Sequence, residues 1–117
     1  MITKPPLFFL EHIQESIHLI HEYLGSIPKE KFLNSIDVQD KIVRRLEIIG
    51  EAVKNLPNDL REKYNTIPWK DIAGLRDKLI HEYFSVDPEL LWGYLQKDLP
   101  EFKIAIDDIL ISMQDSQ

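Results

Sequence analysis

Leu10, Ile13, Ile17, Ile20 and Leu24 recur at alternating intervals of three and four, which places them on one face of a helix. Gly25 and Pro28 end that helix, and a short turn over Lys29–Leu33 follows. Asp37 is then expected to cap a second long helix, whose stripe is Ile42, Leu46, Ile49, Val53 and Leu56. Pro57 stops it, because proline cannot continue the hydrogen-bond ladder. Residues 58–64 suit a short helix, and Ile67-Pro68-Trp69 is a break leading into a third main helix expected over 69–84. Ser85-Val86-Asp87-Pro88 reads as a stop and restart, with Asp87 as cap and Pro88 at the first helical position. Asp98-Leu99-Pro100 repeats the logic and opens a last helix carrying Phe102, Ile106, Ile109 and Met113. No useful stretch alternates with period two, and no Asn-Gly or Asp-Gly hairpin signal occurs.

The pattern predicts an all-α fold, an antiparallel bundle of about four to five helices forming a single domain over residues 1–117. Short connections make neighbouring helices antiparallel. Gly50, in the middle of the second long helix, costs about 1 kcal/mol relative to alanine, and is expected to mark a close helix–helix contact.

Composition narrows the setting. Apolar residues make up 44% and charged residues 29%, an ordinary globular balance that argues against a disordered chain. The chain has no cysteine, so disulfides and thiolate zinc sites are excluded. No apolar stretch approaches the ~20 residues needed to span a bilayer, so no membrane partner is expected. The start, Met1-Ile2-Thr3-Lys4-Pro5-Pro6, lacks the pattern of a signal peptide, and a cytoplasmic location is the expectation. The net charge of −6 leaves little room for a broad basic face, so any nucleic-acid contact must be local or built by joining two chains.

The segment with candidate chemistry is Gly74-Leu75-Arg76-Asp77-Lys78-Leu79-Ile80-His81-Glu82-Tyr83-Phe84. At 100° per residue, Ile72, Leu75, Leu79 and Tyr83 share a stripe, with Arg76 beside Tyr83 on it. An arginine in an apolar stripe calls for a partner. Asp77 and His81 sit one turn apart on the other side, where the carboxylate is expected to orient the imidazole.

RNA cleavage without a metal uses the 2′-hydroxyl as internal nucleophile. It needs a group titrating near neutrality, which suits histidine, and a permanent planar cation for the developing phosphorane charge, which suits arginine. Tyrosine adds a phenol for phosphate or a ring for a base. On one ideal helix, however, Arg76 and His81 diverge by about 140°. They converge only if the helix end unwinds or a second chain supplies the complementary half. Each residue also has an ordinary reading: a snorkelling arginine, an exposed histidine favoured by the helix C-terminus, and a core tyrosine with its hydroxyl at the rim.

Arginine, four residues, histidine, one residue, tyrosine is the signature of the HEPN ribonucleases in their HepT-like branch, here Arg76, His81 and Tyr83. Ile48-Ile49-Gly50-Glu51-Ala52, Ile67-Pro68-Trp69, Val86-Asp87, Trp92 and Asp98-Leu99-Pro100 are similar to the same family, so the resemblance spans nearly the whole chain. It implies the toxin of a two-gene toxin–antitoxin pair, acting as a metal-independent RNA endonuclease that needs no cofactor. It further implies a homodimer whose two motifs meet in a shared cleft. The implied partner is a cognate minimal nucleotidyltransferase that silences the toxin by attaching AMP to the motif tyrosine, Tyr83. In this reading Arg76 and His81 are catalytic, Asp77 supports His81, and Tyr83 both contacts substrate and carries the AMP, whose phosphate would lie within reach of Arg76. Many relatives have asparagine after the arginine, whereas this chain has Asp77, whose charge repels phosphate. The alternative is a non-catalytic helical subunit that docks a nucleotidyltransferase and helps bind its nucleotide.

Two further sets were weighed on their residues. His18 and His21, with Glu15 and Glu22, lie close enough on one helix to suggest a metal, but nothing like His-Glu-x-x-His backs them, and an exposed polar face is the expectation. Lys41, Arg44, Arg45 and Lys54 form a basic strip beside Glu47 and Glu51, read as a solvated face with pairing along the helix or as a supporting phosphate contact. No glycine-rich phosphate loop and no Gly-x-Ser-x-Gly turn occurs.

Overall fold

Helix α3 (Ile36–Lys54) organises the bundle in the computed structural model, which describes residues 4–115. Helix α1 (Pro6–Leu24) packs along one side of α3 and α5 (Trp69–His81) along another. Helix α7 (Asp98–Asp115) lies against α1 and against α6 (Pro88–Gln96), the short α2 (Lys29–Leu33) packs on α3 and α6, and α4 (Asn58–Lys63) lies in the connection from α3 to α5. A 3-10 turn, Tyr83–Ser85, follows α5. Among the described residues there is no strand. The fold is an all-α bundle, and among the described residues five helices exceed eight residues. No helix among the described residues is long and apolar enough to cross a membrane. The leader reading of Met1-Ile2-Thr3 lies outside the described residues.

The period-3.6 stripes became the core. Leu10, Ile13, Ile17 and Ile20 are at most 1% exposed, and Ile42, Leu46, Ile49 and Val53 face them from α3. Burying such a side chain is worth roughly 1.5–3 kcal/mol, so this seam outweighs any single polar contact in the molecule. Phe102, Ile106 and Ile109 complete the core from α7, with Met113 only half-buried at its edge. Two aromatic pairs tie in the smaller pieces: Phe32 of α2 with Trp92 of α6, at 5.2 Å, and Trp69 at the start of α5 with Phe102 of α7, at 5.9 Å.

Local signals fixed most boundaries. Gly25 adopts φ 50 and donates its N–H to His21 O, ending α1 in a conformation that L side chains rarely adopt. Asp87 accepts the Glu89 N–H at 2.9 Å and Pro88 opens α6, as expected. Two expectations need correction. The cap of α3 is Ser35, whose Oγ accepts from Val38 N, and Asp37 falls inside the first turn, where its carboxylate faces the positive helix end and pairs with Lys41 at 3.3 Å. Helix α5 stops at His81, not Phe84. Glu82 leaves helical geometry at φ −132, ψ 33, and Ser85 N and Val86 N then bond to Glu82 O and Tyr83 O in the tighter 3-10 pattern.

Candidate active site on the α3–α5 seam

At Gly50 the backbones of α3 and α5 approach closely. A Cβ on Gly50 would lie 2.1 Å from Arg76 Cβ, 2.9 Å from its Cγ and 3.3 Å from the Ile72 carbonyl oxygen. No side chain fits there, so the interior glycine marks a close helix–helix contact, and the residue using the space is Arg76 itself. The stem of Arg76 lies on the backbone of α3, which fixes the direction of its guanidinium.

That guanidinium is already engaged. Its Nη1 donates to Asp77 Oδ1 at 2.9 Å and its Nη2 meets Glu51 Oε2 at 3.2 Å, while Nε is buried and has no partner. Lys54 Nζ donates to the same Asp77 oxygen at 2.7 Å. Asp77 is thus bracketed by two cations. The hydrogen bond from Lys54, then that from Arg76, holds its carboxyl below the ordinary range, and the Asp77 contact in turn raises the Arg76 pKa.

Asp77 therefore serves Arg76 and Lys54, and does not orient His81. Among the described residues the His81 side chain makes no hydrogen bond or ion pair; it is exposed at the last residue of α5. The expected Asp77–His81 contact loses to Lys54 because the ammonium is a full charge on the facing helix, at hydrogen-bond distance.

Tyr83 also moves from its expected place. Once α5 ends, the ring turns toward α3, and the hydroxyl donates to Asp40 Oδ1. That hydrogen bond, followed by partial burial and the Asp40 charge, pushes the phenol pKa up. Arg76 and Tyr83 consequently do not share a stripe. Their polar ends are anchored at Glu51 and Asp40, eleven residues apart on one helix and so about 16 Å along its axis. A phosphate carried on Tyr83 would therefore start well along α3 from the guanidinium of the same chain. The pairings 76 with 50–51 and 83 with 40 also establish that α5 runs antiparallel to α3.

Unwinding after His81 displaces Tyr83 but leaves the Arg76–His81 divergence untouched, because both are within regular helix. The end of α5 therefore does not bring Arg76 and His81 together within one chain. Beside Arg76 a groove of about 300 Å³ runs over α3 between α1 and α5, lined among others by Phe8, His12, Arg44, Ile48 and Ile80. Ile80 is 42% exposed and Phe84 fully so. A larger concavity of about 1240 Å³ lies between α1 and α7, with Glu11, Glu15 and Asp107 on its walls, and contains none of Arg76, His81 and Tyr83. Size alone points away from the chemistry here.

The other sets resolve simply. His18 pairs with Glu22 at 3.2 Å, and among the described residues no group of three or more histidine or acidic side chains comes together to hold a metal. In the basic strip, Lys41 and Arg44 pair along α3 with Asp37 and Glu47, whereas Lys54 reaches across to α5. Sequence reasoning missed Asp40 and undervalued Glu51. Both become visible once Gly50 is placed opposite Arg76 and the antiparallel register is counted back along α3.

Residues 13–109 match the family model described as "Ribonuclease HepT-like". The chain is 50% identical over 109 residues to a protein of Methanocaldococcus jannaschii named "Gamma-glutamylcyclotransferase and putative RNase"; the match covers 93% of this chain and 49% of that one, so the chain spans about half of that relative. It is 46% identical over 107 residues to a "Putative RNase" of Caldanaerobacter subterraneus subsp. tengcongensis, covering 92% of this chain and 96% of the relative. A "Probable ribonuclease HepT" of Thermococcus cleftensis is 47% identical over 95 residues, covering 81% and 86%. No solved structure matches the chain.

Proposed function

The chain belongs to the ribonuclease HepT-like family, and we propose that it is a metal-independent RNA endonuclease whose active site is completed by a second copy of itself. The observation that carries this reading is that α5 stays helical through His81, which leaves Arg76 and His81 on diverging faces of one chain. In a two-fold dimer the imidazole of one chain faces the guanidinium of the other. Arg76 then binds the scissile phosphate with the Nη hydrogens that Asp77 and Glu51 leave free, and offsets charge that develops in the transition state. His81, exposed and without a partner, exchanges the proton of the 2′-hydroxyl or of the leaving oxygen. Exposed Ile80 and Phe84 beside it supply apolar surface for the dimer contact. The acidic net charge fits a site in which RNA is gripped at one phosphate rather than along a basic face.

The wider role in this proposal is that of a cytoplasmic toxin silenced by a cognate nucleotidyltransferase antitoxin, which transfers AMP to Tyr83. Because Tyr83 is held at Asp40, well along α3 from its own Arg76, the adenylate silences by filling the cleft between copies. The two carboxylates already on Arg76 favour a second reading, the non-catalytic subunit that docks a nucleotidyltransferase.

Complementation separates the two. With EDTA present, the purified parent is expected to cut RNA, and Arg76→Ala and His81→Ala each to lose cleavage. Mixed and reassembled, the two variants are expected to recover part of it, since one site in each mixed dimer keeps both groups. No cleavage by the parent leaves the subunit reading standing, and two inactive variants that stay inactive when mixed place the whole site within one chain.

A further inference from the structure

Tyr83 and Asp40 form a pair to which the proposed acid–base step of cleavage gives no role. The hydroxyl of Tyr83, in the 3-10 turn after α5, donates to the carboxylate of Asp40, in the first half of α3. Among the described residues this is the sole polar contact of Asp40. Its helix neighbours Asp37 and Lys41 are paired with each other at 3.3 Å, and the Lys41 ammonium also lies over the Tyr23 ring. Both the carboxylate and the flanking Phe84 are open to solvent, so an incoming group reaches the phenol oxygen from outside the bundle.

We propose that Asp40 is the general base for the modification of Tyr83, a catalytic residue supplied by the target chain rather than by the modifying enzyme. The proposal rests on the reading of Tyr83 as the acceptor of AMP. In the step, Tyr83 Oη attacks the α-phosphorus of ATP held by the nucleotidyltransferase. The Oη–P bond forms while the bond from that phosphorus to the bridging oxygen breaks, and pyrophosphate leaves. The phenol proton passes along the existing hydrogen bond to the Asp40 carboxylate and from there to water.

A phenol needs such help. With an ordinary pKa near 10, only about one in a thousand is ionised at neutral pH, and the surroundings of Tyr83 shift it further toward the neutral form. A carboxylate already accepting the hydrogen bond can take the proton as the Oη–P bond forms, so that no free phenolate is required.

The test is AMP incorporation into the Tyr83 peptide, followed by mass spectrometry, with the full chain, its cognate nucleotidyltransferase and ATP. Asp40→Asn keeps an oxygen that accepts the hydrogen bond but cannot take the proton, and its rate is expected to fall about 100-fold or more. Asp40→Glu keeps the carboxylate and is expected to recover part of the loss. A parental rate for Asp40→Asn, or a Glu variant no better than the Asn variant, overturns the proposal, since Asp40 then only positions the ring. An unmodified parent fails at an earlier point: it removes AMP transfer itself, and this inference with it.

Discussion

Helix α3 presents two seams that solve the same packing problem in opposite ways. Toward α1 it offers Ile42, Leu46, Ile49 and Val53 to Ile13, Ile17 and Ile20, an interdigitated apolar contact with no charged group in the core. Toward α5 it removes a side chain at Gly50, lets Arg76 lie on the bare backbone and closes the edge with Glu51, Lys54 and Asp77. The first seam is held by buried volume and tolerates no loss of it. The second gives up apolar area and leaves the buried Nε of Arg76 unpaired, and in return holds a cation in a fixed direction at a groove. Both seams bury apolar side chains, Ile72 and Leu79 of α5 among them, but the candidate chemistry lies on the α5 side alone.

The sharpest way to break this contrast is to truncate the apolar seam. Ile17→Ala removes a side chain that is 1% exposed and is expected to cost about 2–5 kcal/mol of unfolding free energy in a denaturant titration. RNA cleavage per folded molecule should stay near parental, because nothing in the α3–α5 seam has moved. A variant that stays stable but loses cleavage would mean that the two seams are coupled.

Gly50→Ala probes the other side. In an ordinary helix interior the change gains about 1 kcal/mol. Here the new methyl meets Arg76 Cβ at 2.1 Å, so a net loss of about 1–3 kcal/mol is expected, together with a large fall in cleavage as Arg76 is displaced. In an Arg76→Gly background the obstructing Cβ is gone, and the penalty of Gly50→Ala should shrink toward the favourable helix value, with the Ile72 carbonyl at 3.3 Å still in contact. A stabilising Gly50→Ala in the parent would show that α5 shifts freely and that the glycine does not set Arg76.

The same contrast explains what could be read in advance. The α1 stripe, the α3 stripe as far as Val53, the stop at Gly25 and the restart at Pro88 depend on local period and local chemistry, and each is where the sequence put it, whereas α3 ends at Lys54, short of Leu56 and Pro57. Gly50 was legible as a close contact because an interior glycine carries a cost that something must offset. Its partner was not, since register between helices is set by packing and is invisible to periodicity within one. The same gap hid Asp40 and misassigned Asp77: an i to i+4 count offers His81, whereas the facing helix offers Lys54 at 2.7 Å. The end of α5 at His81 was missed because apolar Tyr83 and Phe84 prolong the stripe on paper. The hydrogen bond of Tyr83 to α3 is a tertiary contact that local pattern does not carry.

The smallest expected effect concerns the ionic edge alone. Asp77 has its carboxyl pKa lowered below the ordinary 3.8, first by Lys54 and then by Arg76. A group depressed on folding contributes stability that is present above its unfolded value and is lost as pH falls through its folded value. The contribution of Asp77 is therefore complete at neutral pH, begins to fall near the unperturbed carboxylate value of about 4, and is lost below its lower folded value. Asp77→Asn should lower stability slightly at pH 7, and the gap from the parent should close as the titration descends below that point. The gap should also narrow in high salt, because the Asp77 side chain is 46% exposed and pairs of such exposure are screened. Ile17→Ala should show neither trend, since no charge is removed. If the deficit of Asp77→Asn persists unchanged at pH 2.5, the carboxylate acts through its shape rather than its charge, and the division between an apolar and an ionic seam fails at its polar edge.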